Sequence, residues 1–207
     1  MEGSQEGQPR WEQFYVCSKA LNETLRQRTP PFPCNPIYRY IYTYHPLEYA
    51  GEIYRNFLEK YLNGPKKILF VGMNPSRYGS LQTGIPFGDI VTVRDRMQLR
   101  AAIHNPPMLY PNIPVTGLDS LEDDEEISST RFWNLIKSIF KDEEDFINRF
   151  FINCFVHNFC PLVFVGNNGY NVSFESLAEK IPKETMTIME EACLKTLQEH
   201  VESSYSS

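Results

Sequence analysis

The stretch Gly72-Met73-Asn74-Pro75-Ser76-Arg77-Tyr78-Gly79-Ser80-Leu81-Gln82-Thr83-Gly84-Ile85-Pro86-Phe87-Gly88 follows directly on the apolar run Ile68-Leu69-Phe70-Val71. That run is short, unbroken and preceded by Asn63-Gly64-Pro65, the pattern of a central strand buried on both faces. The loop after it holds four glycines and two prolines. Glycine permits positive φ or close backbone approach, whereas proline stiffens the path, so the loop is shaped and not merely flexible. A shaped loop leaving a strand predicts either a ligand or a tight packing contact.

Outward from this loop the chain alternates helix and strand. Leu47, Ala50, Ile53, Tyr54, Phe57, Leu58, Tyr61 and Leu62 fall at helical spacing after Pro46, which predicts one helix stopping at Asn63-Gly64-Pro65. Asp89 to Met97 fits helix or strand, and Pro106 to Pro114 reads as loop. Ser129 or Thr130 is expected to cap a helix with Phe132, Trp133, Ile136, Ile139 and Phe140 on its apolar face, Trp133 in the core. Asp142 opens a further short helix, and Phe150 to Val156 reads as the second apolar strand. The C-terminal stretch is helical by the spacing of Met186, Met189, Ala192, Cys193, Leu197 and Val201.

Two strands separated by helices favour parallel pairing with helices on both faces, and ligands of such sheets lie beyond the carboxyl ends of the strands. Two unusual segments stand at that end. One is the loop from Gly72; the other is His157-Asn158-Phe159-Cys160-Pro161-Leu162, with Gly166-Asn167-Asn168-Gly169-Tyr170-Asn171 soon after.

At 207 residues one domain is expected, with residues 1–35 a flexible arm ending in Pro30-Pro31-Phe32-Pro33, 36–202 the domain and 203–207 a tail. No apolar run reaches the ~20 residues of a membrane span, and the polar start carries no signal-peptide pattern, so a soluble, unsecreted protein is expected. Five cysteines at scattered spacings fit reduced thiols. A zinc reading of Cys154-x-x-His157-x-x-Cys160 lacks a fourth ligand nearby. The run Asp123-Asp124-Glu125-Glu126 reads as a solvated loop before a metal site. With a net charge of −6, nucleic acid could be held only by a local patch.

The chemistry open to the two segments is narrow. No Gly-Lys-Ser/Thr closes the first loop and no G-x-G-x-x-G follows the strand, which argues against nucleoside triphosphates and dinucleotides. Asn74 is no base at neutral pH, but its amide both donates and accepts and can hold a water. Asn158 offers the same pair of functions, matching the N3–H and O4 edge of uracil and mismatching cytosine if its amide is prevented from flipping. Phe87 could lay its ring on a flat ligand, a contact worth about 1 to 3 kcal/mol per base. On the residues alone, turn-fixing asparagines and a core phenylalanine explain the pattern equally well.

Met73-Asn74-Pro75, Tyr78-Gly79, Gln82-Thr83-Gly84, Pro86-Phe87-Gly88 and Val93-Arg94-Asp95 together resemble the first active-site motif of the single-strand-selective monofunctional uracil-DNA glycosylases. His157-Asn158 with Cys160-Pro161-Leu162 is similar to that family's uracil-recognition segment. Pro46-Leu47-Glu48-Tyr49-Ala50, Gly64-Pro65-Lys66 and Arg131-Phe132-Trp133 match in the same order, so the likeness spans roughly residues 40 to 195.

The resemblance implies a three-layer α/β sandwich with a short parallel sheet of about four strands, Asn74 as the catalytic water-positioner, and Met73, Phe87 and Asn158 around the base. It places Asn168, Gly169, Tyr170 and Asn171 in DNA contact, and implies no metal or cofactor, a DNA partner carrying uracil or a related lesion, a monomer and a nuclear location. Ser76-Arg77 stands where the family usually has Gly-Pro, with Arg77 a candidate phosphate contact. The family's C-terminal strand and its His-Pro-Ser-Pro-Arg-Asn-Pro-like loop have no counterpart here, so an exposed sheet edge is expected and no catalytic histidine is assigned. The alternative function is a relative that binds DNA or a partner without cleaving.

Overall fold

The computed structural model describes residues 9–28, 41–106, 114–119, 126–141, 143–166 and 168–205. Within them the chain runs α1 (Arg10–Arg28), β1 (Ile41–Tyr44), α2 (Pro46–Tyr49), α3 (Gly51–Tyr61), β2 (Ile68–Gly72), α4 (Ser80–Thr83), α5 (Ile127–Ile139), α6 (Phe146–Asn153), β3 (Cys154–Asn158), β4 (Val163–Gly166), α7 (Phe174–Leu177) and α8 (Lys183–Tyr205). The expected Pro46–Leu62 helix is thus two, because Ala50 leaves the helical path at φ −117° and ψ 20° and serves as cap for both pieces. The longer piece buries Ile53, Tyr54, Phe57, Leu58 and Tyr61 on one face, as its 3.6-residue spacing requires.

β2 and β3 are parallel, in a register running from Ile68 opposite Cys154 to Gly72 opposite Asn158. β1 and β4 form a separate antiparallel pair, Ile41 opposite Gly166 and Tyr44 opposite Val163. The fold is therefore mixed α/β, but among the described residues each sheet has two strands and only one pair is parallel. This corrects two expectations. β2 is not buried on both faces: Ile68 is 50% and Val71 44% exposed, since β3 is the strand that pairs with it. The second strand also begins four residues later than its apolar run, because Phe150 to Asn153 complete α6. Phe150 and Phe151 are core residues through helical packing. Phe151 stacks on Tyr61 at 4.1 Å and meets Phe57 edge-on at 5.6 Å, while Phe150 meets Trp133 edge-on at 5.4 Å.

The N-terminal arm is corrected for residues 10–28, which form α1 and pack along α8 and α3. Its polar composition conceals three buried anchors, Phe14, Leu21 and Leu25, enough to bind the helix to the core at about 1.5–3 kcal/mol per anchor. Phe14 joins the main core around Trp133 and Phe57. Leu21 and Leu25 join a second cluster with Cys160, Phe164, Leu177, Met189 and Cys193 from β3–β4, α7 and α8. The C-terminal stretch is helical, as its spacing predicts.

α5 is capped by Glu126, not by Ser129 or Thr130. The Glu126 carboxylate accepts from the backbone N–H groups of Ser128 (3.2 Å) and Ser129 (2.6 Å). Trp133 is fully buried, as expected, whereas Ile139 on the same helix is 63% exposed. Asp89–Met97 resolves as helical, with a wide turn over Thr92–Arg96. The expected Asp142 cap, most of the Pro106–Pro114 loop and the acidic residues 120–125 lie outside the described residues. No helix is long and apolar enough to cross a membrane among the described residues.

Candidate active site

The parallel register brings the two suspicious segments together. Gly72 ends β2 directly beside Asn158, which ends β3, and the pairing continues outward as Phe159 N–H donates to Gly72 O (2.7 Å) and Cys160 N–H to Met73 O (2.9 Å). The two loops therefore leave the sheet side by side. Between them opens a cavity of about 430 Å³ lined by Met73, Asn74, Phe87, Glu126, Asn158 and Asn171 among others. Its volume is in the usual range for small-molecule sites.

Gly72 is the floor of this arrangement. A β-carbon there would stand 2.6 Å from Asn158 Oδ1 and 3.1 Å from the Phe87 ring, so glycine lets the amide and the ring both come close to the backbone at this point. Asn158 is buried, and its amide makes no hydrogen bond to the described residues. Its acceptor and donors are left for whatever enters the cavity. A polar pair so placed favours a ligand with a complementary edge, because a ligand that covered the amide without pairing it would lose about 1–3 kcal/mol.

Phe87 is half-buried at positive φ (53°), a conformation that costs a bulky residue of order 1 kcal/mol. The surroundings enforce it: Phe87 O accepts from Ser129 Oγ (2.6 Å) and Trp133 Nε1 (2.7 Å). Its ring packs on Phe132 at 4.6 Å, and the residue lines the cavity. Core packing and ligand contact are both served by one ring. Gly84, at φ 72°, closes the short α4 and lets the loop return toward Phe87.

Asn74 is held by the far wall. Its Nδ2 donates to Pro75 O (3.1 Å) and Val172 O (3.4 Å), and its Oδ1 accepts from Phe174 N–H (2.9 Å). The amide orientation is thereby fixed, and Oδ1 retains one lone pair that can accept from a water. An aspartate could not make the two donations.

The predicted DNA-contacting segment sits at the rim. Asn171 lines the cavity and its Oδ1 accepts from Arg77 N–H (2.8 Å), while Arg77 Nη1 donates to Gly169 O (3.0 Å). Asn168 Oδ1 closes its own turn onto Tyr170 N–H, leaving the Tyr170 ring 74% exposed. Arg77, read from sequence as a candidate phosphate contact, uses part of its guanidinium to hold this rim in place. Met73, which also lines the cavity, is 51% exposed.

Behind Asn158, His157 is buried against Phe14, and burial pushes its pKa down to about 4. His200 of α8 stacks on Phe14 at 3.5 Å and is pushed down to about 2 by burial and by His157 beside it. Both rings are neutral core members on the α1–α8 side. Cys160 and Cys193 share the second core cluster, and burial pushes the Cys160 thiol pKa well up. Among the described residues no group of three His, Cys, Asp or Glu could hold a metal.

Sequence reading missed Glu126, Ser128, Val172 and Ser173 in the cavity wall. Glu126 was folded into an acidic run whose bland interpretation is a solvated loop; its place immediately before Ile127-Ser128-Ser129 was the available sign of a helix cap.

Comparison with known proteins bears on this site. Over 178 residues, 86% of this chain, the sequence is 36% identical to the single-strand selective monofunctional uracil-DNA glycosylases of Rattus norvegicus and Mus musculus. The Bos taurus protein of the same name is 37% identical over 155 residues, 75% of the chain. The chain is a sequence relative of the single-strand-selective monofunctional uracil-DNA glycosylases. It spans about 60% of the length of the rat and mouse proteins and 55% of the bovine one. No family model matches. Among solved structures, Pedobacter heparinus SMUG2 aligns with a TM-score of 0.55 at 18% identity, covering 92% of this chain and 72% of that one, a likeness of fold.

Proposed function

We propose that this chain is a monofunctional uracil-DNA glycosylase that hydrolyses the N-glycosidic bond of uracil or a related pyrimidine in DNA. The observation that carries the proposal is the convergence of Asn74, Phe87 and Asn158 on one cavity at the carboxyl ends of a parallel strand pair. Each supplies a function that base excision needs. Extruding a nucleotide costs a few kcal/mol, which stacking on Phe87 and pairing with the free Asn158 amide offset. Asn158 Nδ2 donates to the O4 side of the base and Oδ1 accepts from N3–H, so negative charge developing on the departing uracil meets a donor already in place. A water accepted by Asn74 Oδ1 adds to C1′ as the N1–C1′ bond breaks.

The same reading includes a DNA partner seated across Arg77 and Asn168–Asn171, the three-layer sandwich of the relatives, action as a monomer and residence in the nucleus. No lysine lines the cavity among the described residues, which suits hydrolysis by water. The test is incubation of the folded chain with a uracil-containing single-stranded oligonucleotide, reading abasic sites by alkaline cleavage. Product that vanishes in Asn74→Ala supports the proposal; a folded chain that binds the oligonucleotide without making product supports the non-cleaving alternative.

A further inference from the structure

Glu126 is the single ionisable side chain among the described residues lining the cavity. It reaches the wall from the first position before α5, with its Cγ 3.4 Å from where a β-carbon on Gly79 would stand, which puts the glutamate stem beside the loop that carries Asn74. Its two carboxylate oxygens each accept one backbone N–H, from Ser128 and Ser129. These two bonds fix the carboxylate in direction yet leave further lone pairs on both oxygens. A cap needs only one short acceptor, for which serine or aspartate suffices. Glu126 exceeds that requirement, because the same residue caps α5 and lines the cavity.

We infer that Glu126 is a second catalytic residue of the reaction proposed above, on which the inference rests. Asn74 is neutral, so it can place the water but cannot offset the positive charge that builds at C1′. The Glu126 carboxylate supplies that offset from the same cavity, preorganised by its two N–H partners. The N1–C1′ bond breaks with its electron pair leaving on uracil, a water oxygen forms the new bond to C1′, and the proton released from that water passes to Glu126. The carboxylate is regenerated when that proton moves on to the uracil anion or to solvent, so charge and atoms balance without a further reactant.

The experiment compares wild type, Glu126→Gln and Glu126→Ser in single-turnover excision on a uracil-containing single-stranded oligonucleotide. Serine keeps a capping oxygen and removes the charge, so it separates catalysis from helix capping. Both variants are expected to lose about a hundredfold in the chemical rate with no rise in KM, because the lost carboxylate repels the DNA polyanion before reaction. The melting temperature of Glu126→Ser stays near that of wild type. If wild type is active and Glu126→Ser keeps its rate, the Glu126 assignment is overturned and the proposed function stands. If Glu126→Gln and Glu126→Ser lose rate only in proportion to lost folded protein, Glu126 is a cap and the assignment is likewise overturned. Absence of excision by the folded wild type would instead overturn the function itself, and the Glu126 role with it.

Discussion

Gly72 and Asn158 face each other at the last register position of the parallel strand pair, with Asn158 Oδ1 2.6 Å from where a β-carbon on Gly72 would lie. The atom in the way is the end of a movable side chain, so Gly72→Ala forces the Asn158 amide to rotate before it forces the backbone to shift. The variant is expected to melt within a few degrees of wild type while uracil excision falls at least tenfold, on the order of 1.4 kcal/mol. Thermal denaturation alongside single-turnover rates checks this; a variant with full activity would mean that the amide orientation is not the reading device.

Asn74 cannot be improved by a carboxylate. A charged aspartate would stabilise a cationic sugar better in isolation, but here it would set its oxygens against Pro75 O and Val172 O, both of which Nδ2 now serves. Asn74→Asp is therefore expected to lose activity and about 1–3 kcal/mol of stability, by urea denaturation at neutral pH. Raised activity in that variant would contradict the arrangement of the far wall.

The histidine pair ties stability to pH. His157 and His200 have folded pKa values depressed to about 4 and about 2 by burial, below the ordinary value of 6.5, so the unfolded chain binds their protons first. Their contribution is complete above pH ~6.5 and declines as pH falls toward the folded values, by up to about 1.4 kcal/mol per pH unit for each ring. The melting temperature should drop between pH 7 and pH 5. His200→Leu, which removes one of the two sites, should flatten that slope; an unchanged slope would place the acid sensitivity elsewhere.

The site was more legible in the sequence than the scaffold around it. Asn74, Phe87 and Asn158 lie in segments whose glycines, prolines and breakers have local causes, and local causes are visible in local sequence. Phe150–Asn153 were misread because a run of apolar residues looks alike in a buried helix and a buried strand. α1 was hidden because its anchors Phe14, Leu21 and Leu25 are sparse among polar residues, and only packing against α8 reveals them. The antiparallel β1–β4 pair joins residues more than a hundred positions apart, a relationship that no window along the chain contains. The capping role of Glu126 has a local sign in Ile127-Ser128-Ser129, but its place in the cavity wall beside Asn74 comes from packing across the fold.

The most direct test of the account is single-turnover excision by the folded chain on matched single-stranded oligonucleotides carrying one uracil or one cytosine, for wild type, Asn74→Ala and Asn158→Ala. Abasic sites are expected from uracil and none from cytosine, with the rate falling on the order of a hundredfold or more in both variants. Equal cleavage of the two bases, or a wild-type rate in Asn74→Ala, would contradict it.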